Sequence, residues 1–196
     1  MLAAAILAAG ESRRMGAPKA LVPFRGVNFV QHLLNATRHP RIGVVRIVLG
    51  AGADEIRPKL GADPEMIVVN LAWEQGQLSS IQTAIRSLPT QTEGMILAPV
   101  DHPLVSGNLV SQLIKKFDST DAPIVLPTFH GHRGHPVIFR ASTYQELLDA
   151  STEVGARQVV WAHERQIAEV PTEEEGIILN LNDPDALKKA MGSSSS

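Results

Sequence analysis

Short apolar runs alternate with stretches of helical periodicity along most of this chain, and that rhythm restricts the folds open to it more than any other feature. The runs Ala3 to Ala8, Val44 to Leu49, Met66 to Val69 and Met95 to Ala98 read as strands. The stretches Phe29 to Ala36, Ile56 to Leu60 and Leu78 to Leu88 between them read as helices, giving a βαβα order. Leu78, Ile81, Ile85 and Leu88 fall on one helical face, with Ser79 and Ser80 as capping candidates at its start. A further helix begins at Ser106, where Leu109, Val110, Leu113, Ile114 and Phe117 share a face, and a strand follows at Ala122 to Leu126.

After that strand the rhythm breaks. Gly131 to Gly134 reads as a turn and Pro136 to Phe139 as an antiparallel strand. Helices follow near Tyr144 to Ala150 and Gly155 to His163, then short strands at Ile167 to Val170 and Ile177 to Leu179. The predicted architecture is α/β: a Rossmann-like, doubly wound, mostly parallel sheet with a small antiparallel insertion. Ligands of such sheets bind beyond the carboxyl ends of the strands, so the loops after Ala8, Val69, Ala98 and Leu179 are expected to converge.

With 196 residues the chain can bury a sizeable core, and residues 1–191 are read as one domain. The run Gly192 to Ser196 reads as a flexible tail, because glycine and serine bury little and lose much entropy on ordering. A formal net charge of −2 supplies no basic field for a nucleic-acid backbone. The opening apolar run is too short to span a bilayer and leads into Arg13 and Arg14, so no membrane partner is expected. The absence of cysteine removes disulfides, thiolate zinc sites and a cysteine nucleophile; it is compatible with a reducing compartment, and a cytoplasmic location is expected.

The first loop carries the clearest chemistry. In LAAGESRRMGAPK, Leu7 to Lys19, small residues and glycine leave a buried strand, which lets backbone amides approach an anion. Arg14 and Lys19 then add positive charge suited to a triphosphate during transfer. A surface turn with two solvated cations is the competing reading, and the ordered spacing of Gly10, Arg14, Gly16 and Lys19 speaks against it. A Walker A loop does not fit, since Gly16 is followed by Ala17, Pro18 and Lys19. GAGADE at Gly50 to Glu55 only approaches a dinucleotide fingerprint, and a plain strand-to-helix turn explains it as well.

LAAGESRRMGAPK resembles the signature of the molybdenum-cofactor nucleotidyltransferases and their sugar-nucleotide relatives, the MobA-like NTP transferases. EQGQLSSIQTAI, APVDHPLV, RGHPVIF, EVGAR and NLNDPDAL extend the resemblance, in order, over nearly the whole chain. It implies a GT-A-like nucleotidyltransferase fold and a magnesium-dependent transfer of a nucleoside monophosphate to a phosphorylated acceptor, with pyrophosphate leaving. LAAG is similar to the cytidylyltransferase branch, where guanylyltransferases tend to read LAGG, so CTP is the expected donor and molybdopterin cofactor the expected acceptor. A sugar phosphate or related metabolite is the alternative acceptor. A nucleotide-binding accessory protein for a molybdenum enzyme, without turnover, is a third reading, and a molybdoenzyme partner is expected under it.

The resemblance assigns Arg14 and Lys19 to catalysis, and Leu7, Ala8, Ala9, Gly10, Glu11, Ser12, Arg13, Gly76, Ser79 and Ser80 to the nucleotide. Helix capping explains the two serines equally well. Asp101, at the end of an apolar strand, suits a magnesium ligand, with an N-cap or turn role as the alternative. The second metal ligand falls in NLNDP at Asn182, with Asn180 in reserve. Relatives that read DIDTP place aspartates at those two positions, so one negative charge is missing here, and Asp183 is shifted by one residue. Arg133 and His135 are assigned to the acceptor. His130 and His132 are read as exposed hairpin residues, and His102 as a turn residue.

Overall fold

The structure is a computed structural model that describes residues 1–192. Its main strands are β1 (Leu2–Ala8), β4 (Ile42–Leu49), β5 (Ile67–Val69), β6 (Gly94–Pro99), β7 (Ile124–Phe129), β8 (His132–Arg133), β9 (Val137–Arg140) and β10 (Ala168–Pro171). The short strands β2 (Pro23–Phe24) and β3 (Val27–Asn28) form a separate hairpin. The helices are α1 (Phe29–Ala36), α2 (Ala53–Ile56), α3 (Gln77–Arg86), α4 (Gly107–Asp118), α5 (Tyr144–Asp149), α6 (Arg157–Ala162) and α7 (Pro184–Gly192). No helix among the described residues is long and apolar enough to cross a membrane.

The main sheet runs β10, β7, β9, β6, β1, β4, β5, with β8 paired to β7. β1 is parallel to both β4 and β6, whereas β9 is antiparallel to both β6 and β7. The predicted mostly parallel sheet with an antiparallel insertion is the architecture observed. β1 lies inside the sheet between β6 and β4 and is buried on both faces, which is why its sequence is a continuous apolar run.

Strand alternation divides the core into two layers. Leu2, Ala4, Ile6 and Ala8 face the layer containing α1 and α4, while Ala5, Leu7 and Ala9 face the layer containing α3. The predicted stripe of α4 is buried throughout, and Ser106 caps that helix by accepting from the Leu109 amide at 3.1 Å. Ala186, Leu187 and Ala190 of α7 pack on the α1 and α4 layer.

Several predicted boundaries are corrected. The helix expected at Ile56 to Leu60 starts earlier, as α2, and tightens to a 3-10 turn at Arg57–Lys59, where Pro58 has no amide to donate. Ser79 and Ser80 lie inside α3, whose N-cap is Gly76. The expected turn at Gly131 to Gly134 contracts to His130 and Gly131, and β8 follows at once. Ile177 to Leu179 is not a strand: Glu175–Ile177 is a 3-10 turn whose Ile177 carbonyl accepts from the His135 amide at 2.9 Å. A short apolar run cannot by periodicity alone be assigned to a ladder, and here it is buried by a crossing segment instead. Gly192 closes α7, and the rest of the expected tail, 193–196, lies outside the described residues.

Candidate active site

β1 has β4 on one side and β6 on the other, so the chain leaves it in one direction and returns in the other, opening a crevice at its carboxyl end. The first loop enters that crevice through left-handed backbone at Ser12 and Gly16, with φ of 56° and 72°. Between them, Met15 is buried in a 3-10 turn and anchors the loop in the core. The Ser12 hydroxyl accepts from the Lys19 amide at 2.9 Å and so fixes where the lysine departs.

Lys19 reaches two oxygens. Its ammonium donates to Asn182 Oδ1 at 2.5 Å and lies 3.7 Å from Asp101 Oδ2. The convergence follows from backbone geometry: Val100 continues β6 by donating to the Leu7 carbonyl at 3.0 Å, and the Leu181 amide donates to the Asp101 carbonyl at 2.8 Å. Leu181 is buried, so its neighbours Asn180 and Asn182 are delivered to the end of β6. Asp183 is engaged elsewhere, accepting from the Ala186 amide at 2.9 Å at the start of α7. It does not replace the missing aspartate charge.

A cleft of about 240 Å³ lies over this point. Among the predicted residues, Leu7, Ala9, Gly10, Ser12, Lys19, Gly76, Ser80 and Asp101 line it. Ala8 turns its side chain to the opposite layer, as strand alternation requires. Arg14 is exposed and outside the lining, and Arg13, fully exposed, pairs with Glu11, which lifts its pKa. Ser79 is buried and donates to the Gly76 carbonyl at 2.8 Å.

Trp73, Gln77, Pro99 and Val100 complete the lining, and no sequence pattern assigns any of the four a role of its own. Trp73 had a signal in the sequence at Gly50. A Cβ there would lie 2.5 Å from Trp73 Cβ and 2.6 Å from the Ala9 carbonyl oxygen, so glycine lets the Trp73 segment and the first loop close on each other. Asn70, buried at the end of β5, holds the same wall. Its Nδ2 donates to the Ser79 and Ser80 hydroxyls at 2.8 and 3.0 Å, and its Oδ1 accepts from the Ala72 amide at 2.9 Å.

A second cleft adjoins the first and shares Gln77, Pro99 and Asp101 with it. Arg133, His135 and Asn180 line this side, so both predicted acceptor residues are present. Arg133 is also engaged, donating to Glu164 at 2.7 Å and Glu169 at 2.8 Å. His102 is a buried residue of the site rather than only a turn residue: it is 4% exposed and its ring lies 4.8 Å from that of His135. Burial lowers the pKa of both imidazoles. His135, further opposed by His102 and partly offset by Asp101, falls to about 4, so both rings are neutral at pH 7. His130 packs against the Phe129 ring and His132 is exposed in β8.

The oxygen donors around Lys19 suit a hard divalent cation, because one carboxylate and one amide oxygen already converge on a positive charge. The family described as MobA-like NTP transferase domain is matched over residues 4–167. Nicotine blue oxidoreductase of Paenarthrobacter nicotinovorans is 31% identical over 172 residues, covering 80% of this chain and 81% of the relative.

Among solved structures, Rv0371c from Mycobacterium tuberculosis H37Rv superimposes with a TM-score of 0.84 at 23% identity, covering 97% of each chain. Its complex with manganese gives 0.81 at 21% identity, covering 98% of each. Molybdopterin-guanine dinucleotide biosynthesis protein A from Archaeoglobus fulgidus gives 0.71 at 21% identity, covering 99% of each. These three share the fold. The glycine-containing loop after β1, the two clefts beside Asp101 and the family match over most of the chain lead to one assignment: the protein belongs to the MobA-like NTP transferase family.

Proposed function

We propose that this chain transfers a nucleoside monophosphate, CMP by preference, from a nucleoside triphosphate to a phosphorylated acceptor, with molybdopterin cofactor as the first candidate. The observation that carries the proposal is the pair of adjoining clefts sharing Asp101, with Lys19 at their junction. A donor nucleotide on one side and an acceptor phosphate on the other would meet at that junction. An acceptor phosphate oxygen forms a bond to the α-phosphorus while the bond to the β-phosphate bridging oxygen breaks, and pyrophosphate carries away the electron pair.

The acceptor phosphate is ionised at neutral pH, so the step needs no general base. That agrees with imidazoles held neutral by burial, which serve as hydrogen-bonding groups rather than charges. Lys19 would turn from Asn182 to the triphosphate, and the amides of Ala9 to Ser12 would hold its oxygens. Arg14, exposed at the loop, would close on the phosphates only once they are present. Asp101 with Asn182, and Asn180 beside them, would hold magnesium, which when bound offsets phosphate charge. The proposal takes residues 1–191 as the catalytic unit and places it in the cytoplasm; delivery of cofactor to a molybdenum enzyme belongs to the alternative accessory reading.

The preference for CTP rests on LAAG at Leu7 to Gly10. Molybdopterin rests on family likeness, with a sugar phosphate as the alternative acceptor. The 31% identical relative is named an oxidoreductase, so one scaffold hosts more than one chemistry and the site must decide. The test is pyrophosphate release with magnesium, comparing CTP, GTP, ATP and UTP against molybdopterin cofactor and a sugar-phosphate panel. Release with CTP and the pterin supports the proposal, and release only with a sugar phosphate moves the acceptor. Nucleotide binding with no release across the panel would overturn the transferase reading in favour of an accessory or redox role.

A further inference from the structure

Beyond the acceptor cleft lies a third cavity, of about 330 Å³, which shares Gln77, Arg133, Gly134 and His135 with it. Its floor is apolar: Leu78 and Ile81 of α3, Leu97 of β6, Leu126 of β7, and Val137 and Phe139 of β9. Each of these belongs to the core layer on the α3 side of the sheet. The outer wall is the segment 152–157 together with Val160 of α6, and Val154 in that wall is 39% exposed. The floor is packed core, each of its side chains only 1–7% exposed, and the cavity lies between it and the wall formed by 152–157 and α6. Its volume falls within the range of roughly 300–1,000 Å³ common for small-molecule sites.

The polar groups of the lining, Gln77, Arg133, His135, Thr152 and Arg157, lie at its rim and outer wall, and the floor carries none. The Arg133 guanidinium is already shared between Glu164 and Glu169. A polyhydroxylated body placed on this floor would surrender hydrogen bonds to water and regain few of them. An apolar or fused-ring body would instead remove apolar surface from water on both sides. The cavity is continuous with the second cleft through Gln77, Arg133, Gly134 and His135, so the organic body of a phosphate ester held there would have this cavity beside it.

Resting on the transferase reading above, we propose that the cavity is the acceptor's second subsite and that it selects phosphate monoesters with an apolar ring or hydrocarbon body over sugar phosphates. Leu126, Phe139 and Val160 would decide this selection, whereas Lys19 and Asp101 would act on any phosphate that reaches them.

The test uses 1-naphthyl phosphate and glycerol 3-phosphate as probes with the same head group and opposite bodies. Binding of each is measured by calorimetry on the whole chain, with magnesium and with the nucleotide cleft filled by cytidine 5′-(α,β-methylene)triphosphate, which cannot be cleaved at the α-phosphorus. The naphthyl ester is expected to bind about tenfold tighter or better. Val160→Lys, which places a charge in the wall, and Ala156→Phe, which fills the cavity from the same wall, should each abolish most of that preference. Glycerol 3-phosphate affinity should stay within about twofold in both variants, and a thermal melt confirms that each is folded. Equal affinity for the two esters in the unaltered protein, or a preference unchanged in both folded variants, overturns the subsite alone. Failure of both esters to bind while the nucleotide analogue does would overturn the acceptor reading and the subsite with it.

Discussion

Lys19 is held by oxygens that are expected to serve a metal, so its role can be separated from a purely structural one. Lys19→Ala should lower turnover by roughly 10²- to 10³-fold, the usual cost of removing one group that stabilises developing charge. Unfolding free energy should fall by only about 1 kcal/mol or less, since the partly exposed pair it leaves contributes little. Pyrophosphate release and the urea midpoint measure the two effects, and a variant with unchanged turnover removes Lys19 from the mechanism. His135→Ala should raise the acceptor KM about tenfold while leaving nucleotide affinity intact, because its ring lies in the second cleft and outside the first. Parallel loss of both affinities in titration calorimetry would instead mark a folding role. Asp101 could be picked out as a candidate because a carboxylate just after an apolar strand marks the ligand edge of a parallel sheet, and Lys19 because of its spacing from Gly10, Arg14 and Gly16 in the first loop. His102 could not be, since nothing in a single sequence shows that one ring will stack on another 33 positions away.

Elements meet around the site through backbone contacts that leave no room for side chains. A Cβ at Gly134 would lie 2.5 Å from the Ile177 carbonyl oxygen, and the next residue, His135, donates its amide to that same carbonyl. Gly134→Ala should therefore separate the approach to β9 from the Glu175–Ile177 turn, destabilising the protein by about 1–3 kcal/mol and weakening acceptor binding along with it. Chemical denaturation together with the acceptor KM checks this; an unaltered midpoint would show that the two segments yield freely. The stripe of α4 and the cap at Ser106 could be read directly, because helical periodicity is local. The turn that replaces the expected strand at Ile177 to Leu179 could not, because its partners are Leu104 and His135, far away along the chain.

Across the whole molecule, Arg41 ties the start of β4 to Glu93 before β6 and to Asp118 at the end of α4, at 2.9 and 2.7 Å. Hydrogen bonding by Arg41, then by the amino group of Met1, lowers the Glu93 pKa from its ordinary value near 4.5 to about 2. A depressed carboxylate pKa favours the folded state fully above about pH 4.5, and that contribution disappears as the pH falls toward 2. Since both side chains meet solvent, the contribution is below about 1 kcal/mol. Glu93→Gln should flatten the fall of the urea midpoint across that window relative to the unaltered protein, and identical pH profiles would exclude the linkage. Local pattern alone was enough for the layered α/β architecture, the order of most elements and the position of the glycine-containing loop after β1, because apolar periodicity and glycine-rich loops act over a few residues. Long-range packing was needed for Asn182 to meet Lys19, for Asp183 to serve α7 instead, and for an apolar cavity to border the second cleft. Those facts depend on how distant segments close over one sheet, where the position of each side chain is set by backbone contacts that no local pattern encodes.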